Sequence, residues 1–167
     1  MKIDIKNDEI LDRIATAFDE EIYLVGGAVR DFLQGKTPLE RDLLVLNADV
    51  KEFSKLLCDF FDGTFIELDS ENKIYRVVLK DKKNYLDITK PVGGTLETDL
   101  KSRDLTINSL VVNIKTGEVI DITGGIKDFG NGILRYYNEK SILDDPLRIL
   151  RFFRFLQFTG LRLHRNV

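Results

Sequence analysis

The stretch Leu24-Val25-Gly26-Gly27-Ala28-Val29-Arg30-Asp31, followed by Gly35 and then by Glu40 and Asp42, decides how this chain is read. An apolar run enters a glycine pair, a short helix stops at Gly35, and a second strand carries two acids. Gly26 and Gly27 let backbone N–H groups approach an anion with no Cβ in the way, and a helix beginning there adds the positive end of its dipole. Phosphate chemistry beside metal ions is the first expectation from this pattern.

Working outward, Asp8 is placed to cap a helix whose apolar side is Ile10, Leu11, Ile14, Ala15 and Phe18. Glu21 to Val25 reads as a buried strand, Gly27 to Gln34 as a helix and Asp42 to Leu46 as a second strand. A helix over about Val50 to Phe61, stopped by Gly63, precedes strands at Thr64 to Leu68, Ile74 to Leu79 and Tyr85 to Thr89. Leu105 to Leu110 reads as helical, Val111 to Ile114 and Val119 to Ile122 as a hairpin, and Gly124-Gly125 as the start of another short helix. Ile133 to Tyr136 is a last strand, and Asp144 opens a long helix with Pro146 in its first turn, where a missing N–H costs nothing. The fold class is α+β (α/β): a mixed sheet with flanking helices, with the last helix leading into a further helical region.

Bulk properties narrow the function. The 167 residues, 43% hydrophobic and 32% charged, have an ordinary globular composition, and no apolar run approaches the ~18 residues of a membrane helix. The opening MKIDIKNDEI is charged and is no signal peptide. Cys58 is the only cysteine, which excludes disulfide scaffolds and multi-cysteine zinc sites and makes the cytoplasm the default compartment; the single His164 argues against histidine-based chemistry. Net charge is −3, but residues 146 to 167 carry five arginines and no acid, leaving −8 on the rest. A basic end on an acidic body suits nucleic acid, and it equally suits a solvated helix face.

Metal-assisted phosphoryl or nucleotidyl transfer needs carboxylates converging from strands, because Mg²⁺ prefers oxygen ligands and bridges to substrate phosphates. Glu40 and Asp42 are two apart, so on a strand they share a face. Asp87 interrupts the apolar run Tyr85-Leu86-Asp87-Ile88-Thr89 and is placed to supply a third ligand. The competing reading leaves Glu40 as a loop acid and Asp42 or Asp87 as a strand-end charge.

Taken together, the glycine stretch with Glu40-Arg41-Asp42, then Arg103-Asp104-Leu105-Thr106-Ile107-Asn108, and finally Asp145-Pro146-Leu147-Arg148-Ile149-Leu150-Arg151 resemble the head domain of class II tRNA nucleotidyltransferases and bacterial poly(A) polymerases, of the DNA polymerase beta-like nucleotidyltransferase superfamily. Leu96 to Leu100 and Ile120 to Gly125 are similar to the same family, so the resemblance runs from about Tyr23 to Gly160. It implies a head domain over 1–143 and the start of a helical neck over 144–167. It further implies that Gly26, Gly27 and Arg30 hold a triphosphate, that Glu40 and Asp42 bind two Mg²⁺ ions that activate the attacking 3′-hydroxyl and stabilize the leaving pyrophosphate, and that Asp87 is the third carboxylate. Arg103 and Asp104, in a motif that includes Asn108, correspond to the check on the ribose 2′-hydroxyl. Asp145 and Arg148, three apart on one helix face, correspond to the pair that reads the base of ATP or CTP. The implied activity is Mg²⁺-dependent addition of CMP and/or AMP to an RNA 3′ end, with tRNA the favoured partner and no membrane. Poly(A) addition, or a nucleotide- and RNA-binding head with weakened catalysis, are the alternatives; a structural module that only docks a partner ranks behind them.

Three departures from the family pattern stand out. Glu40 occupies the position of the first metal-binding Asp, and its extra methylene displaces the oxygens in chemistry where 1 Å can cost ~100-fold. Ser102 stands where a further arginine usually precedes Arg103. The chain stops at Val167, where family members continue into neck, body and tail regions.

Overall fold

The computed structural model describes residues 1–137 and, beyond them, residues 148, 150, 153, 156 and 162–164. Asp144, Asp145, Pro146 and Leu147, the expected start of the last helix, lie outside the described residues; 148, 150, 153 and 156 are helical. In chain order the elements are α1 (Glu9–Ala17), β1 (Ile22–Val25), α2 (Gly27–Leu33), β2 (Glu40–Val45), α3 (Val50–Phe60), β3 (Thr64–Asp69) and β4 (Ile74–Val78). They continue with β5 (Tyr85–Thr89), α4 (Leu96–Ser102), β6 (Leu110–Asn113), β7 (Val119–Asp121), α5 (Gly125–Gly130), β8 (Ile133–Leu134) and β9 (Arg162–Leu163).

Seven strands form one mixed sheet in the order β3-β4-β5-β2-β1-β6-β7, and β8 pairs separately with β9. Within the large sheet β2 and β5 run parallel, and the other neighbours are antiparallel. Alternation along the strands divides the apolar residues between two faces. Leu24, Leu43, Val45, Val77, Leu86 and Ile88 pack under α1, α2 and α3 through Leu11, Ile14, Val29, Phe53 and Leu57. On the other face Tyr23, Val25, Leu44 and Val111 pack with Leu96 and Leu100 of α4.

Several elements differ from the sequence expectation. Leu105 to Leu110 is not a helix: Thr106–Asn108 makes one 3₁₀ turn and Leu110 already enters β6. There Val111 and Val112 align with Val25 and Leu24, so sheet pairing of β-branched residues prevails over a short helical pattern. α4 was not expected as a helix; the Thr95 hydroxyl caps it by accepting from the Thr98 N–H at 3.2 Å, and Leu96 and Leu100, one turn apart, bury against the sheet. β2 starts at Glu40, two residues before the expected Asp42, because the ladder with β5 begins where Glu40 faces Tyr85. The strand expected over 133–136 is only Ile133–Leu134, with Tyr136 making an isolated bridge to Leu105.

A buried ion pair ties the first helix to β2. Arg41 points into the helical face, where its side chain is 2% exposed and that of Asp8 1%. The Arg41 Nε and Nη2 donate to Asp8 Oδ2 at 2.9 and 2.7 Å, and Nη1 donates to Asn84 Oδ1 at 2.9 Å. The other Asp8 oxygen accepts the Ile10 and Leu11 N–H groups, both at 3.1 Å, and caps α1. Asp8→Ala leaves a buried guanidinium without its carboxylate and a helix without its cap, and should lower unfolding free energy by about 3–5 kcal/mol in urea titrations. Combining Asp8→Asn with Arg41→Met, which keeps a capping oxygen and removes both charges, should restore most of that loss; an equal loss in both variants would show that the pair is not what holds this corner.

Candidate active site

β2 and β5 lie parallel with Asp42 opposite Asp87, and β5 pairs with β4 so that Asp87 lies opposite Arg76. One row across the sheet therefore reads Val25, Asp42, Asp87, Arg76, all on the face away from α1, α2 and α3. Glu40, two residues before Asp42, shares that face and is exposed, while Asp42 is half-buried. Strand alternation thus brings together the three acids that the sequence singles out.

The glycine turn closes over this row. Gly26 has φ +70°, a left-handed conformation that glycine adopts without strain, and a Cβ there would sit 3.0 Å from Asp42 Oδ2. A side chain at position 26 would strain the backbone and crowd the Asp42 carboxylate. The Arg103 Nη1 is 3.8 Å from the same point. Arg103 is held by Asp99, whose Oδ2 accepts from its Nε at 2.7 Å and whose Oδ1 accepts the Val92 N–H at 3.0 Å.

On the other flank of the turn a second cluster forms. A Cβ at Gly27 would lie 3.2 Å from Arg30 Nη2, and Arg30 Nη1 donates to Asn108 Oδ1 at 2.9 Å. Burial pushes the Arg30 guanidinium below its ordinary pKa. The Asn108 amide donates to Asp104 Oδ1 at 3.3 Å, and the same oxygen accepts the Leu105 N–H at 2.7 Å. The 3₁₀ turn that carries Asn108 is itself fixed from behind: Thr106 donates its hydroxyl to Asp128 Oδ2 at 2.6 Å, and Arg135 Nε donates to the same oxygen at 2.8 Å. Gly125 is required here, since a Cβ would strike the Thr106 carbonyl oxygen at 2.1 Å. Arg148 donates from Nη1 to the Ser102 carbonyl at 3.0 Å, which ties the C-terminal helical segment to the end of α4. Asp145 lies outside the described residues.

Electrostatically the acid row is unbalanced. Desolvation is the largest cause that raises the Asp42 carboxyl to about 6, and the Asp87 charge comes next; Arg103 opposes both and Glu40 adds to them. Among the described residues no hydrogen-bond donor reaches the Asp42 carboxylate. Asp87 differs, because Arg76 donates to both its oxygens, from Nε at 2.6 Å and Nη2 at 2.7 Å. An oxygen-only donor set with a half-buried acid lacking donors fits a hard divalent cation, with Glu40 and Asp42 the side chains free to hold it. Among the described residues no three acids, histidines or cysteines come together as a self-sufficient metal cage.

Sequence reading did not find Arg76, Asp99, Asp128 or Arg135. Asp99 meets Arg103 four residues on along α4, a spacing hidden because α4 itself was not expected, whereas Arg76, Asp128 and Arg135 are brought to the site by the strand register or a buried network. The one available signal was an arginine at the center of the apolar run Ile74 to Leu79.

With this geometry in view, comparison with known proteins is direct. The model of the "Poly A polymerase head domain" family matches residues 22–92 and 80–135, and the chain belongs to that family. It is 36% identical over 156 residues to a CC-adding tRNA nucleotidyltransferase from Shouchella clausii, covering 93% of this chain and 39% of that protein. It superposes with TM-score 0.84 and 29% identity on a Thermotoga maritima CCA-adding enzyme solved in complex with tRNA, covering 98% of this chain and 40% of that one. A CCA-adding enzyme solved with CTP superposes with TM-score 0.82 at 30% identity, covering 99% of this chain and 40% of that one. The chain therefore spans about two fifths of the length of such relatives. No helix among the described residues is long and apolar enough to cross a membrane.

The raised Asp42 group has a consequence for stability. Its carboxyl goes from 3.8 unfolded to about 6 folded, so folding opposes its ionization: the penalty is absent below about pH 3.8, grows through the interval, and is complete above about pH 6. Asp42→Asn should stabilize the metal-free protein at pH 8 by about 1–2 kcal/mol, after allowing for solvent screening, and leave it unchanged near pH 3.5. Thermal unfolding at the two pH values checks this, and equal effects at both would show that burial of the charge is not the cause.

Proposed function

We propose that this chain is the head of a template-independent RNA nucleotidyltransferase that adds CMP and/or AMP to the 3′ end of tRNA with Mg²⁺. The observation that carries the proposal is the half-buried Asp42 carboxylate under the Gly26-Gly27 turn, in line with Asp87 and two residues from Glu40. Acids under a phosphate-binding turn are what nucleotidyl transfer requires, since triphosphate and metal must be held together. The likeness to relatives that add C or CCA to tRNA supports the choice of reaction.

In this reading the N–H groups of Gly26 and Gly27 and the guanidinium of Arg30 hold the triphosphate, with Arg30 oriented by Asn108. Glu40 and Asp42 hold Mg²⁺, which when bound polarizes the phosphate and lowers the cost of the attacking 3′-oxygen's charge. Asp87 completes the acidic face. Arg103, aimed by Asp99, and Asp104 check the ribose 2′-hydroxyl. Arg148 and Asp145 read the base. Residues 1–143 form the head, 144–167 begin a helical neck, and the compartment is the cytoplasm.

The test is incubation of the protein with Mg²⁺, labelled CTP or ATP, and tRNA lacking its 3′ terminus. Product longer by one to three nucleotides is expected; no incorporation by the chain, alone or fused to the regions that follow the head in a relative, would remove the enzymatic reading. Asp42→Ala should abolish Mg²⁺-dependent transfer. Glu40→Asp should raise turnover with little change in nucleotide affinity if the longer acid misplaces the metal, since ~1 Å can cost ~100-fold. An unchanged or lower rate would show that this sheet is built for Glu40.

A further inference from the structure

We propose that the outer half of the open sheet face, over β5, β4 and β3, seats the 3′-terminal nucleotide of the acceptor RNA, with Tyr85 and the Arg76 guanidinium as a stacking surface and Ile66 at its edge. The inference rests on the nucleotidyl-transfer reading above and deepens it by placing the second substrate.

The direction of attack selects this half. In-line displacement puts the incoming 3′-oxygen opposite the leaving pyrophosphate. Gly26, Gly27 and Arg30, which hold the triphosphate in that reading, lie at the β1 end of the row Val25, Asp42, Asp87, Arg76, and Arg30 reaches Asn108 farther to the same side. The acceptor therefore arrives from the β5 side. On the β1 side the face is closed, because Leu96 and Leu100 of α4 pack on Tyr23, Val25, Leu44 and Val111. On the β5 side it is open: Ile66, opposite Arg76 on the β3–β4 ladder, is 39% exposed, and the Arg76 side chain is 29% exposed.

The surface there suits an unpaired base. Tyr85 lies opposite Glu40 on one side and Val78 on the other, so its ring stands beside the first acid on the same face. The Arg76 guanidinium lies over that ring, 4.0 Å from its centroid, and its Nε and Nη2 donate to the two oxygens of Asp87 at 2.6 and 2.7 Å. A ring and a planar cation are thus held in place next to the acids, and both are surfaces on which single-stranded bases stack. Because Asp87 already offsets Arg76, the pair offers a plane more than a charge, which favors a base over a phosphate. Stacking also reads no base edge. An acceptor whose last base changes with each addition requires a seat of that kind.

The test is steady-state incorporation of labelled CTP into tRNA lacking its 3′ terminus, by the chain alone or fused to the regions that follow the head in a relative. Each substrate is varied separately, and circular dichroism checks the folding of each variant. Tyr85→Leu, which keeps an apolar side chain and removes the ring, should raise KM for tRNA about tenfold and leave KM for CTP within about twofold, whereas Tyr85→Phe should match the unaltered protein. Ile66→Glu, at an exposed position on the edge strand, should raise KM for tRNA about fivefold by setting a negative charge against the RNA. On irradiation, the same tRNA ending in 4-thiouridine should cross-link within residues 64–89, the span of β3 to β5. An unchanged KM for tRNA, equal rises in both KM values, or cross-links confined to other segments would overturn the seat and leave the reaction standing. No incorporation by the unaltered protein would overturn the reaction and the seat together.

Discussion

Arg41 is among the largest side chains fully enclosed in this protein, and its burial constrains β2 from within. A guanidinium can sit in an apolar layer only if its donors are met, and Asp8, Asn84 and the Leu39 carbonyl meet them. Those three partners belong to the start of α1, the loop after β4 and the residue before β2. By satisfying one buried charge the chain fixes a helix, a hairpin and a strand relative to one another. Because side chains alternate along a strand, holding Arg41 inward also holds Glu40 and Asp42 outward. The placement of the acids on one face thus depends on an interaction made on the other.

The outward face has the opposite character. Its charges are left incompletely matched: Asp42 takes no hydrogen bond among the described residues, and its carboxyl is held well above the ordinary range by burial and by Asp87. Arg103 offsets part of this from across the glycine turn, and Arg76, though bound to Asp87, offsets a smaller part. A site that carries an unmet negative charge when empty gains when a cation enters, and the cost of keeping it so is met by the apolar packing of the helical face.

Much of this was legible in the sequence where the signal was local. Gly26-Gly27 and the two-residue spacing of Glu40 and Asp42 translate directly into a turn and a shared face, and Asp87 showed itself as a lone acid in an apolar strand. The run Glu40-Arg41-Asp42 concealed its own alternation, because three consecutive charges give no hint that the middle one is buried. The 3₁₀ turn at Thr106–Asn108 was read as helix because local propensity cannot weigh a pairing with β1 some eighty residues earlier. Arg76, Asp128 and Arg135 act through contacts set by ladder register and by buried networks, which single-sequence patterns do not contain, while Asp99 and Arg103 stand at helical spacing on α4, an element the sequence reading left out.

The single parallel pairing in the large sheet, β2 with β5, has a consequence for how the protein assembles. Asp42 and Asp87 are separated by α3, β3 and β4, so the two acids meet only through a contact of long sequence separation, which pays loop-closure entropy before it gains anything. Arg76 and Asp87 belong instead to a neighboring hairpin and pair across eleven residues. Topology therefore places the hairpin ahead of the crossover in folding order, and Asp87 reaches Asp42 already carrying its counter-charge. Part of the repulsion that opposes closure of the sheet at its most acidic point is thereby offset, although Asp87 still raises the Asp42 carboxyl once the strands have met.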